Sequence, residues 1–395
     1  MGLSSAKGTE DKFIFEGKKP KVAIIWRYIP QYRWRFYDVL RDKLDHMGIE
    51  LVLIYGQPDP KDVMKKDAVD LDWGQKVQNT YFTFGRWEFC WQPLLPYLRD
   101  ADLIIVEMAN KLLINYILLI QNGLGIKKLA FWGHGKNFQA KSTDRFSEWI
   151  KRIISTKVHW WFVYNDTSAN IVEALGFPHS RVTVVQNAID TKQLVDEIKK
   201  LKSKDINRYR HDIGVKGEHV GLYVGGMYPE KKIKFLLNSL IYIREQIPDF
   251  EMIFIGSGID AILIKEMAQR HPWVFYLGSK FNNDKVPYFA LSHLFLMPGL
   301  VGLAIIDCLA MGLPLITTKN SLHSPEIEYL QSGENGLIVD SHDDPKIYAQ
   351  SVIDLLNNEN ERLKLVNGCR ACKEKYSIET MVNNFANGIQ FALHK

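Results

Sequence analysis

The stretch "MPGLVGLAIIDCLAMGLPLIT" (297–317) decides the fold class. It leaves an apolar β-rich run, "LFLMPG", turns at Gly299 and Gly302, passes through an apolar helical segment, and re-enters a second buried run, "PLITT". Strands that are apolar throughout, joined by helices, belong to parallel sheets covered on both faces. Working outward, the same alternation continues in both directions. "HVGLYVGG", "FEMIFIGSG" and "VFYLGS" precede it and "NGLIVD" follows, each with a helix-like segment after it. Upstream of a charged helical stretch, "TKQLVDEIKKLKSKDINRYRHDIG", lies an earlier series: "VAIIW" (22–26), "IELVLIYG", "DLIIVEM", "KLAFWG", "WWFVYN" and "RVTVVQN" (181–187). Two such series predict an α/β protein of two doubly wound, Rossmann-like domains facing a central cleft. The expected boundaries are a polar extension over 1–20, a first domain over 21–190, a second over 191–375, and an amphipathic helix over 376–395 packing back on the first domain. Ligands of such sheets sit at the carboxyl ends of the strands.

Composition narrows the class. Of 395 residues, 46% are hydrophobic, 24% charged and 12% aromatic, values of a packed globular chain that exclude disorder and fibrous repeats. The net charge of +5 is carried by residues 1–190, with 26 Lys and Arg against 21 Asp and Glu, while the remainder balances at 24 against 24. That density is too low for a nucleic-acid binder, yet leaves an anionic ligand or membrane surface open for the first half. Four cysteines are too few for a disulfide framework. Cys369 and Cys372 form one CxxC on a helical segment with no second pair, so no zinc site is expected. The amino-terminal segment lacks the apolar core of a signal peptide, and Ala6 stands where myristoylation wants Ser or Thr. The longest apolar run, "LLINYILLI" (112–120), is too short to span a bilayer. A soluble, cytoplasmic protein is expected.

The second domain has the more informative loops. "YVGGMYPEKK" (223–232) runs a strand into Gly225 and Gly226 and then into a helix start beside Lys231. Glycines let backbone approach a phosphate, and a helix start with a lysine supplies positive potential; the alternative is an ordinary strand-to-helix turn. After Gly299, the amides of Val301, Gly302 and Leu303 are placed to point out of a helix start. Asp307 is the single carboxylate on that apolar helix. It reads either as an acceptor for a ribose diol or as a buried carboxylate held by local donors.

These segments, with "IGSG" and "SPEIEYLQSGENGLIVD", resemble in order and spacing the carboxyl-terminal domain of GT-B glycosyltransferases, particularly the retaining family four of the group 1 type. "VVQNAID" (184–190) is similar to that family's Asn-Gly-Ile-Asp segment, so the resemblance covers about 22–390. It implies that Lys231 contacts the donor diphosphate and that Asp307 binds the donor ribose. Two positions depart from the pattern: Gly299 replaces a glutamate that touches the donor sugar, and Gly226 replaces an arginine beside the lysine.

In the first domain, "WRYIPQYRWRF" (26–36) sets Arg27, Arg33 and Arg35 among aromatics after the first strand. It reads as a phosphate clamp or as a helix start with solvated arginines. "FWGHGKNFQ" (131–139) puts His134 between two glycines at a strand end, with Lys136 near, and the resemblance places a histidine here close to the donor sugar. "DRFSEWIKRIISTKVHWW" (144–161) is a basic amphipathic segment, either core-facing or lying on anionic lipid. "DLD" (70–72) sits in a polar stretch and reads as a coincidence with metal-binding Asp-x-Asp. The expected activity is transfer of a sugar from a nucleoside diphosphate, UDP or GDP, to a glycan or lipid-linked acceptor, with no cofactor and no metal. The catalytic candidates are His134 and Lys231. Two rivals are a sugar-nucleotide-binding pseudoenzyme, motivated by Gly226 and Gly299, and a non-hydrolysing sugar-nucleotide epimerase.

Overall fold

The apolar runs form two parallel sheets, as expected. The structure, a computed structural model, describes residues 18–63, 67–85, 87–135, 153–319 and 323–395. The first sheet comprises β1 (Lys21–Trp26), β2 (Glu50–Tyr55), β3 (Gln75–Lys76), β4 (Leu103–Glu107), β5 (Lys128–Gly133), β6 (Trp160–Val163) and β7 (Val182–Val184), in the order β7-β6-β5-β4-β1-β2-β3. The second comprises β8 (His219–Val224), β9 (Phe250–Ile255), β10 (Val274–Tyr276), β11 (Leu294–Leu296), β12 (Leu315–Thr318) and β13 (Gly336–Val339), in the order β10-β9-β8-β11-β12-β13. All neighbours pair in parallel, for instance Ile24 with Leu53 and Ile105.

Burial on both faces explains the unbroken apolar strands. Val22 and Ile24 of β1 enter one core while Ala23 and Ile25 enter another, on the opposite side of the sheet. Helices that bear on the argument below are α1 (Trp34–His46), α2 (Leu113–Gly123), α3 (Asp166–Ala174), α4 (Ile233–Gln246), α5 (Ala304–Met311) and α6 (Ile378–His394). The last follows the second sheet but joins the first domain's core through Met381, Phe385 and Ile389. Phe385 stacks on Phe162 at 4.4 Å and meets the edge of Trp132 at 4.7 Å. Lys128 and His159 also hydrogen-bond the last carbonyls of α6. Among the described residues, no helix is long and apolar enough to cross a membrane.

One element is absent from the sequence reading. Thr80–Phe84 and Trp87–Trp91 pair as an antiparallel hairpin that carries Phe82, Phe84 and Trp87 into solvent. The segment 144–161 lies outside the described residues up to residue 152, as does Lys136.

The topology selects where ligands can enter. Strand order reverses between β1 and β4 in the first sheet and between β8 and β11 in the second. Connections diverge at such a point, and the gap they leave at the carboxyl ends is the usual ligand crevice.

Candidate functional site

Both loops singled out in the second domain leave from its switch point: Gly225 and Gly226 follow β8, and Gly299 follows β11. Gly225 has φ +154°, and its carbonyl stands where a side chain on Gly256 would have to go. The two strand ends therefore approach backbone to backbone. After Pro229–Lys231, a single 3-10 turn, Lys231 folds inward. Its Nζ donates to the Leu300 carbonyl at 2.6 Å, and burial lowers its pKa to about 8. The ammonium thus lies between the two loops, still protonated at neutral pH.

Gly299 explains its own departure from the family pattern. A Cβ there would fall under 3.0 Å from backbone atoms of Glu230 and Lys231, and the adjoining Leu300 amide donates to the Glu230 carbonyl at 2.8 Å. The turn bearing Lys231 is seated on Gly299, so a glutamate at this position would displace it. Gly226 is covered in a similar way: the ring of Tyr228 fills the space over it, while Tyr223 donates its hydroxyl to the Gly226 carbonyl at 2.6 Å.

The helix start after Gly299 divides its amides. Val301 donates to Nδ1 of His323 at 3.0 Å, and the Nε2 of that ring bonds the Thr318 carbonyl at 2.7 Å, so the expected phosphate contact from Val301 is already committed. Gly302 and Leu303 keep amides with no hydrogen bond among the described residues, just ahead of α5. Asp307, in the first turn of α5, is 7% exposed. Lys285, from the Asn282–Lys285 turn, donates to its Oδ2 at 2.5 Å, while Oδ1 is buried with no partner.

The first domain holds a cavity of about 880 Å³ at the carboxyl ends of β1, β4 and β5. Its walls interleave aromatic rings, including Tyr28, Tyr32, Trp87, Phe89 and Tyr164, with charged side chains, including Arg33, Glu88, Glu107 and Lys111. Arg27 lines it, but its guanidinium is matched by Glu107 at 3.3 Å, Asp62 at 3.1 Å and Asp59 at 3.6 Å. Burial pulls the Arg27 pKa down, and the neighbouring carboxylates Glu107 and Asp62 outweigh it, so the group stays charged. Arg33 is 3% exposed and is spent on structure. It donates to Asn187 Oδ1 at 2.8 Å and lies over the rings of Tyr32, Phe36, Trp132 and Tyr164. Arg35 is half exposed, 3.9 Å from Asp190, and does not line the cavity. The three arginines therefore do not converge into an open clamp.

His134 does face the cavity. Burial, with Arg33 nearby, lowers its pKa to about 4, so the imidazole is neutral at pH 7. Its Nδ1 lies 3.3 Å from Ser168 Oγ, and Ser168 gives its own proton to Asn165 at 2.6 Å, so Nδ1 is the donor in the first of these bonds. Asn165 then donates to the Pro325 carbonyl of the second domain at 2.6 Å. Two other ties run alongside. Glu328 accepts from the amides of Asp166 and Thr167 at the start of α3, and Asn187 bridges Arg33 to Glu326. Segment 323–328, which also holds Val301, is thus the seam that joins the donor-side loop to the cavity's histidine.

Sequence reasoning missed Lys285, His323, Tyr228 and the hairpin. Only the hairpin left a signal: two aromatic-rich β runs flanking Gly85. Cys369 and Cys372 lie on a helix, Glu359–Cys372, where burial pushes the Cys369 thiol up to about 12. Among the described residues no group of His, Cys, Asp or Glu is placed to hold a metal.

Two doubly wound sheets with switch-point loops at one seam define a GT-B fold, and residues 218–358 match the family model described as Glycosyl transferases group 1. This part of the second domain is therefore similar to group 1 glycosyltransferases. Among curated proteins, the spore coat protein SA of Bacillus subtilis is 26% identical over 52% of this chain and 55% of its own length, so the match spans about half of that relative. Anabaena HepE in complex with UDP-glucose superposes with TM-score 0.65 over 94% of this chain and 99% of that one, at 15% identity. A glycosyltransferase from Rickettsia africae superposes with TM-score 0.68 over 95% and 99%, at 12% identity.

Proposed function

We propose that the protein transfers a glycosyl group from a nucleoside diphosphate sugar, with UDP as the nucleotide, to a hydroxyl of a glycan or lipid-linked acceptor, with retention at the anomeric carbon. The observation that carries this reading is the convergence of Lys231 with the unbonded amides of Gly302 and Leu303 at the second sheet's switch point, inside a segment similar to group 1 glycosyltransferases. The nucleotide follows the HepE complex with UDP-glucose. As the sugar–phosphate bond breaks, charge builds on the diphosphate. A buried ammonium and two oriented amides stabilise it without reorganising. In retention the diphosphate stays on the face the acceptor attacks and takes the acceptor's proton.

The acceptor occupies the first-domain cavity. Support comes from its mixed lining, aromatic rings interleaved with polar and charged groups such as Asn110, Glu107 and His134, which suits a sugar with its apolar ring faces and hydroxyl rim. The three carboxylates around Arg27, which outnumber Arg27 and Lys111, favour recognition of a sugar ring over recognition of a free phosphate. His134, neutral, faces the acceptor in this cavity. The exposed aromatic tip of the hairpin, whose Trp87 and Phe89 also line the cavity, supports an acceptor delivered from a lipid surface in cell-envelope glycan assembly.

A thermal-shift screen of UDP-, GDP- and ADP-sugars tests the donor. A ligand that binds only the folded state raises its melting temperature. A rise with a UDP-sugar is expected; no rise with any of the three would refute the reading.

A further inference from the structure

Beside the donor-side loop, one buried pair is unused by the chemistry: Lys285 and Asp307, with side chains 15% and 10% exposed. A carboxylate with one oxygen hydrogen-bonded and the other buried without a partner is costly, because each unmatched polar atom forfeits its hydration. The arrangement is asymmetric. Oδ2 is fixed by Lys285, whereas Oδ1 is withheld from every described group. Asp307 sits in the first turn of α5, one turn from the amides of Gly302 and Leu303. An anionic diphosphate at those amides would be repelled by an uncompensated carboxylate so close, and the Lys285 ammonium offsets that repulsion.

We propose that Lys285 is a positioning residue of the donor site. It orients Asp307 so that Oδ1 is kept for a ribose hydroxyl, and it cancels the carboxylate's charge against the donor diphosphate. This rests on the donor-site reading above. It adds a residue that lies on a separate turn, 22 positions before Asp307 in the chain.

The test is calorimetric binding of UDP, GDP and ADP, each against its 2′-deoxy counterpart, followed with the nucleotide that binds most tightly. The wild type is expected to prefer the ribonucleotide at least tenfold. Lys285→Met should cut that preference below threefold, whereas Lys285→Arg, which keeps the charge and a donor, should retain most of it. A purely structural lysine would lower the melting temperature in Lys285→Met and leave the preference intact, and that result overturns the proposal alone. Should Lys285→Met fail to fold, Lys285→Gln, which removes the charge while keeping a polar group at Asp307, takes its place. It should cut the preference below threefold; a folded Lys285→Gln that retains the full preference overturns the proposal. A wild type that does not distinguish the two sugars, or an Asp307→Asn that distinguishes them as well as wild type does, refutes the ribose role of Asp307, and the positioning role of Lys285 falls with it.

Discussion

Replacing Gly299 with alanine tests how the two donor loops are held. The added Cβ would stand under 3.0 Å from the carbonyl carbon and Cα of Lys231 and from the Glu230 carbonyl oxygen. These are backbone atoms, so no side chain can swing away; the Pro229–Lys231 turn must move as a unit. Overpacking of this kind costs roughly 1–3 kcal/mol. The Leu300–Glu230 hydrogen bond, 2.8 Å long, would stretch or break, adding about 0.5–1.5 kcal/mol. The sum is a destabilisation of about 1.5–4.5 kcal/mol, read as a lower urea midpoint with unchanged m-value. Because Lys231 rides on the turn, donor affinity should fall in the same variant. A Gly299→Ala protein with wild-type midpoint and wild-type affinity would refute both the close seating and its link to the lysine.

Donor affinity should fall as pH rises through about 8, because Lys231 loses there the charge that favours an anion, and Lys231→Met should lack this step; calorimetry from pH 7 to 9 measures it. Arg33→Met should lower stability by about 1.5–3 kcal/mol, the value of a hydrogen bond from a charged group such as that to Asn187, with no change in the salt dependence of acceptor binding; an unchanged urea midpoint would remove Arg33 from the seam. Co-sedimentation with vesicles, anionic against neutral, should bring down the wild type and much less of Phe84→Ser, since Phe84 is 77% exposed at the hairpin tip; equal recovery of both proteins would exclude the hairpin as a lipid contact.

The sheets were legible because strands buried on both faces leave long apolar runs, as in Phe250–Ile255, where every residue is buried. The switch-point loops were legible through their glycines. What was hidden depends on tertiary approach. His323 takes the amide of Val301 from 22 positions downstream, and Lys285 reaches Asp307 from another loop, so neither pairing has a local pattern. Arg33 looked like a clamp because arginine among aromatics serves a ligand or a core equally well. Its burial follows from Asn187 and α6, which arrive from much later in the chain. The hairpin escaped because its strand Thr80–Phe84 is exposed along most of its length and breaks the alternation of buried strand and helix.

The assignment of the donor site is tested most directly by a crystal structure with an intact UDP-sugar. The expected result places the diphosphate about 3 Å from the amides of Gly302 and Leu303 and from Lys231 Nζ, with the ribose at Asp307. A nucleotide bound instead in the aromatic cavity of the first domain would contradict it.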